Sequence, residues 1–196
     1  MPGTLASLYK ALEEATDYSI DSLRCILEQE LPSWEEVKPL VPNGDPYGRV
    51  LLFHNENVEV MIGAWKRGDW CAAHDHGPSI GVCYSYSGQI EHASYELSGK
   101  ELHMVERCTI SDNAFLPLDL GMIHSLCNTS SDEPYVGLHI YSPPTRDVRV
   151  FDIESGNIYH ITDDHGAWVP EDPSKIRKVE EKVFTLKNSV EHAITH

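Results

Sequence analysis

No stretch of this 196-residue chain is apolar for long enough to span a bilayer, and its N-terminal Met-Pro-Gly-Thr-Leu-Ala-Ser lacks the basic start and apolar core of a signal peptide. A place in the cytoplasm is therefore expected. Cysteines are few and scattered: Cys25, Cys71, Cys83, Cys108 and Cys127 are odd in number and form no close pairs. That argues against a disulfide framework and against zinc-finger spacing, and it fits a reducing compartment in which each thiol is a small buried hydrophobe. Positive charge is scarce. With 15 Lys and Arg against 31 Asp and Glu the net charge is -16, which repels nucleic acid and anionic membranes. Neither is expected as a partner, and an anionic substrate would need a local cation.

What is present changes character along the chain. Leu5, Leu8, Tyr9 and Leu12, then Ile20, Leu23 and Leu27, recur at helical spacing, and residues 1–41 read as a helical segment packed on a sheet. Ser33 with Glu36 three residues later predicts a capping box. After Pro42 the period drops to two. Strands are expected at 50–53, 58–65, 70–76, 80–86, 89–96, 102–108, 114–116, 123–128 and 135–141, with one more at 148–152. Many short strands at regular spacing imply a β-sandwich or barrel, placed at 42–160. The charged, partly amphipathic tail makes a C-terminal extension, 161–196, and the whole is expected to be one structural domain. His192 and His196, four apart in that tail, could share a helix face, but no further metal ligand is evident beside them and a solvated tail is the simpler reading.

The sharpest local pattern is His74-Asp75-His76. Two histidines two apart on a strand point to one face, and imidazole suits first-row metals. Alone, such a pair is more often an ordinary strand pair. Here it lies between Gly68 and Gly88, and further on come Gly121, His124 and Asn128. These spacings resemble the two cupin motifs. The resemblance implies a mainly β fold, a cupin or double-stranded β-helix (jelly-roll) barrel with the N-terminal helices packed against it. The cupin pattern usually carries a Glu ligand where this chain has Gly81, so the implied site is three histidines without a carboxylate.

Tyr47-Gly48-Arg49 and Gly137-Leu138-His139-Ile140-Tyr141-Ser142-Pro143-Pro144 extend the likeness. With the two motifs they resemble the cysteine dioxygenase family of thiol dioxygenases, and the stretch His74 to Gly81 looks particularly like bacterial members. The resemblance implies one mononuclear Fe(II) held by His74, His76 and His124, Arg49 pairing with the substrate carboxylate, Tyr47 lining the pocket, the Tyr141 hydroxyl near substrate and dioxygen, and His139 behind it. Three neutral imidazoles leave the full metal charge to favour a thiolate, and open coordination positions for a thiol, an amine and dioxygen. Both oxygen atoms reaching sulfur give a sulfinic acid. L-Cysteine is the expected substrate. Another small thiol carboxylate, of the 3-mercaptopropionate or mercaptosuccinate type, and a non-catalytic metal- or ligand-binding cupin stay as alternatives.

Two departures from the family stand out. Animal members carry at the Gly81 position a cysteine that forms a thioether with the tyrosine, so no such cross-link is expected here, and Cys83 lies two residues further along the same strand face. The family's serine partner of the second histidine is replaced by Gly137.

Overall fold

The two-residue alternation of the middle of the chain, interrupted by bulges, builds two facing sheets. The computed structural model describes residues 3–129 and 132–187. Among them, three short helices precede thirteen strands: α1 (Leu5–Glu14), α2 (Ile20–Gln29), α3 (Trp34–Val37), β1 (Gly48–His54), β2 (Glu59–Trp65), β3 (Trp70–His74), β4 (Ile80–Ser87), β5 (Ile90–Ser98), β6 (Glu101–Ile110), β7 (Phe115–Leu118), β8 (Ile123–Cys127), β9 (Tyr135–Ser142), β10 (Arg149–Asp152), β11 (Asn157–Ile161), β12 (Ile176–Glu180) and β13 (Thr185–Lys187). One sheet runs β1-β2-β9-β4-β7 and the other β12-β11-β10-β3-β8-β5-β6-β13. This is the mainly β, double-stranded β-helix architecture of a cupin, with helices on its flank. No helix among the described residues is long and apolar enough to cross a membrane.

The central strands of the five-stranded sheet, β2, β9 and β4, are largely buried on both faces, each for its own reason. Val60, Ile62 and Ala64 of β2, Val82 and Tyr84 of β4, and Val136, Leu138 and Ile140 of β9 face outward, where they pack with Leu8, Leu12, Leu23 and Leu27 of the helices. The intervening residues must then face the barrel interior. They include Met61 and Trp65, Gly81 and Cys83, and Gly137, His139 and Tyr141. The helices thus cover one face of β9 and leave the other free for polar side chains.

Several expectations are corrected. Ser33 caps α3 without a side-chain hydrogen bond. The Glu36 carboxylate instead accepts from Leu5 N at 3.1 Å, satisfying an orphan amide of α1. The capping box belongs to α1, where Thr4 Oγ1 accepts from Ser7 N at 3.0 Å and Ser7 Oγ accepts from Thr4 N at 2.9 Å. β3 ends at His74, so His76 is not on a strand. β11, β12 and β13 add to the strands expected from the alternation. β12 pairs with β11 and β13 runs parallel to β6, so the segment from Ile176 to Lys187 is woven into the larger sheet. Their signal is weak because they are short and their charged residues face solvent. His192 and His196 lie outside the described residues.

Candidate metal centre and pocket

The three histidines come from one antiparallel pair and the turn beyond it. His74 on β3 is the register partner of His124 on β8. His76 reaches them through a turn built on Asp75, whose Oδ1 accepts from Arg149 N at 3.0 Å and Gly77 N at 3.2 Å, while Oδ2 accepts from Arg149 Nε at 2.6 Å. Gly77 sits at φ 60°, and a Cβ there would lie 1.9 Å from the Arg146 carbonyl oxygen, so only glycine fits the turn. Asp75 is buried and Arg149 is 39% exposed on its side chain. Breaking a buried ion pair costs about 3–5 kcal/mol, and the partial exposure of Arg149 puts Asp75→Ala at the low end, about 3 kcal/mol. Urea unfolding of the metal-free variant measures it; an unchanged midpoint would show that the turn holds without the pair.

All three rings are buried, and their ligand atoms lie within 4.8 Å of one another. His74 Nδ1 donates to Ala72 O at 2.8 Å, which leaves its Nε2 for the cluster. His76 Nε2 and His124 Nε2 stand 3.3 Å apart. Burial holds both His76 and His124 well below the ordinary imidazole pKa, with repulsion from neighbouring histidines adding to it, and it lowers His74 as well. Neutral imidazoles converging their lone pairs in a dry interior are a donor set that a divalent cation fits and that little else stabilises.

Around this cluster the interior face of the other sheet supplies polar groups. Tyr141 Oη lies 3.4 Å from His76 Nε2 and 3.2 Å from His139 Nδ1. The other ring nitrogen of His139, Nε2, is 3.5 Å from Cys83 Sγ, which in turn is 3.7 Å from Tyr135 Oη. A Cβ at Gly137 would approach both Cys83 Sγ and His139 Nε2 to 2.9 Å, so the glycine opens the space that Cys83 fills. Burial pushes the Cys83 thiol up to about 12, raises Tyr141 well above a free phenol and lowers His139 to about 4. These groups are all neutral at pH 7.

Two small lobes of about 30 and 50 Å³ flank the histidines. Tyr47, Arg49, Met61, His74 and Tyr141 line both. Tyr47 stacks on Trp65 with centroids 4.7 Å apart and is pushed up to about 12 by burial. Arg49 Nη2 donates to Asp163 O at 3.2 Å, and Ala167 N donates to Tyr47 Oη at 3.2 Å. Arg49 and Met61 also line a surface groove of about 890 Å³. Between them the two lobes are lined by all seven expected residues: Tyr47, Arg49, His74 and Tyr141 border both, His124 and His139 border one, and His76 borders the other. Sequence reasoning missed His92, whose Nε2 is 3.1 Å from His124 Nδ1; Cys83 as the partner of His139; and the Thr162–Ala167 wall with His165. A histidine amid the alternating polar residues of β5 offers no signal in isolation, and the wall is irregular loop.

A cupin in which three histidines converge, with no carboxylate joining them among the described residues, is the class that this fold and site define. Within it, the chain belongs to the cysteine dioxygenase type I family, whose model matches residues 17–154. It is 24% identical over 181 residues to cysteine dioxygenase type 1 of Rattus norvegicus, covering 82% of this chain and 85% of that one. With the Homo sapiens protein of the same name it shares 26% over 171 residues, again 82% and 85%. With that of Danio rerio it shares 31% over 109 residues, covering 53% of this chain and 54% of the other. Among solved structures, the TT1209 protein of Thermus thermophilus is 19% identical with a TM-score of 0.46 over 55% of this chain and 93% of that one. A Klebsiella pneumoniae protein described as having a double-stranded beta-helix domain is 15% identical, with a TM-score of 0.46 over 70% and 93%.

Proposed function

We propose that this chain is a thiol dioxygenase that uses one Fe(II), bound by His74, His76 and His124, to add both atoms of dioxygen to the sulfur of L-cysteine, giving cysteine sulfinate. The observation that carries this reading is that Arg49 and His74 line both small lobes beside the histidine cluster, one of which reaches His124 and the other His76. Membership of the family supports the dioxygenase class. The bound iron would supply the Lewis acidity that deprotonates a thiol and the redox capacity that activates dioxygen.

The protein's own groups do the rest. Arg49 orients the substrate by its carboxylate, since a guanidinium fork matches two carboxylate oxygens. That places the thiol and amine toward the histidines. The Tyr141 hydroxyl, beside the histidine cluster and 3.2 Å from His139 Nδ1, donates a hydrogen bond to oxygen arriving at the reacting sulfur. His139 fixes the direction of that hydroxyl, and Cys83 takes up the far side of the His139 ring. Tyr47 and Trp65, stacked on each other, keep bulk water from the cavity.

The test is anaerobic reconstitution with Fe(II), followed by oxygen uptake on a panel of small thiols and mass analysis of the products. Cysteine is expected to consume one dioxygen per sulfinate formed. Preference for 3-mercaptopropionate or mercaptosuccinate would move the assignment to another thiol carboxylate, which Arg49 could equally bind; no uptake with any thiol would return the chain to a binding cupin.

The same geometry sets an expectation for covalent state. Gly81 is the register partner of Tyr141, and a Cβ there would stand 3.0 Å from the Tyr141 ring. With no sulfur at that position, Tyr141 stays an unmodified phenol after turnover. Peptide mapping checks this, and a two-hydrogen mass loss on a peptide joined to Tyr141 would contradict it, with Cys83 as the sulfur to examine.

A further inference from the structure

His92 is buried in β5 and plays no part in the site as so far described. β5 lies beside β8, with His92 opposite Leu126 and Ser94 opposite His124. The His92 Nε2 atom lies 3.1 Å from His124 Nδ1, while His124 Nε2 points the other way, to 3.3 Å from His76 Nε2. His92 is therefore on the far side of the ligand ring and cannot itself join the cluster. A neutral imidazole that offers Nε2 to a metal carries its proton on Nδ1, and that proton needs an acceptor in a buried site. His74 meets the need with the Ala72 carbonyl, whereas His76 Nδ1 is buried without a protein partner among the described residues. For His124 the group in reach is His92. Its own Nδ1 faces Cys108 Sγ at 3.9 Å, so its proton has an outlet there and Nε2 is left as an acceptor.

We infer that His92 is the positioning residue for the third metal ligand: it accepts the Nδ1 proton of His124, which fixes the tautomer and ring orientation that turn the His124 Nε2 lone pair toward His74 and His76. This rests on the reading of the histidine cluster as a metal site. An acceptor behind a ligating histidine also raises its basicity, and losing such a partner typically weakens metal binding about 10- to 100-fold.

The experiment uses the full chain and Co(II), followed by chelator competition and by the visible ligand-field spectrum. His92→Leu removes the acceptor and is expected to weaken Co(II) binding about 10- to 100-fold and to alter the spectrum. His92→Gln returns an acceptor oxygen and is expected to restore affinity to within about threefold of the parent, with the parent's spectrum. A packing role would leave the Gln variant as impaired as the Leu variant, and that result overturns the inference, as does parent-like binding by the Leu variant. If the Leu variant does not fold, the parent itself decides: its Zn(II) form is expected to show, by 15N NMR of the histidines, a hydrogen-bonded proton on His124 Nδ1, and no proton there overturns the inference. A parent that takes up no Co(II) overturns the metal reading and this inference with it. One bound Co(II) in the parent, with equal affinity in the Leu variant, overturns this inference alone.

Discussion

Replacing His124 with alanine is expected to leave a folded protein that no longer retains a metal. His124 is 1% exposed and contributes one of the three converging imidazoles proposed as ligands. Loss of a hydrogen-bond partner behind a ligand costs about 10- to 100-fold in affinity, so loss of the ligand itself is expected to cost more than about 100-fold. The fold should survive, because the described residues form four apolar clusters and removing one interior ring deletes little of that packing. A ligand at 100 times its dissociation constant stabilises the native state by about 2.7 kcal/mol, which for a chain of this size is roughly 5–10 °C in Tm. Added Fe(II), kept anaerobic, is therefore expected to raise the parent's Tm by about that amount and to leave His124→Ala unmoved. Elemental analysis gives the second readout. Stoichiometric iron in the variant would remove His124 from the ligand set.

Arg49→Ala is expected to separate substrates by their carboxylate. The overall charge of -16 gives an anionic substrate no help, so the local guanidinium must supply the attraction. A hydrogen bond to a charged group contributes about 1.5–3 kcal/mol, and kcat/KM for cysteine should fall roughly ten- to a hundredfold or more. Cysteamine keeps the thiol and amine but has no carboxylate, so its kcat/KM should change little. Arg49 also donates to the Asp163 carbonyl, and a merely structural role there would lower both substrates alike. The ratio of specificity constants, cysteine over cysteamine, at matched iron occupancy, distinguishes the two. Where cysteamine turnover is too slow to follow, cysteine binding to the anaerobic iron–nitric oxide form replaces it. An unchanged ratio would take Arg49 out of the site.

The parts of this site that could be read from residues alone are those that repeat a spacing. His74, His76 and His124 stand at fixed distances from Gly68, Gly88, Gly121 and Asn128, and the alternation of β9 puts His139 and Tyr141 on one face. What spacing cannot carry is a relation across the barrel. The 3.1 Å approach of His92 to His124 depends on the register of β5 against β8, which no local pattern encodes. Cys83 and His139 meet through the register of β4 against β9. Even the histidine pair is only half legible. Its two-residue spacing suggests a strand, but the buried Asp75 captured by Arg149 ends β3 between the two rings and brings His76 back by a turn. Glu36 makes the same point among the helices, since the backbone amide it serves lies 31 residues away at Leu5 rather than at Ser33.

The wall formed by Thr162 to Ala167 has a consequence in the order of synthesis. A ribosome makes the three histidines, Arg49 and Tyr141 before it makes the residues that hold Arg49 and Tyr47 from the far side through the Asp163 carbonyl and the Ala167 amide. Arg177, which pairs with Asp163 at 2.6 Å, emerges later still. All three histidines of the cluster precede Asp152 in the chain, whereas the carbonyl and amide that hold Arg49 and Tyr47 follow it. On the proposed function, the groups that brace Arg49 for substrate selection are thus the last part of the site to be made, after the groups that would hold the metal.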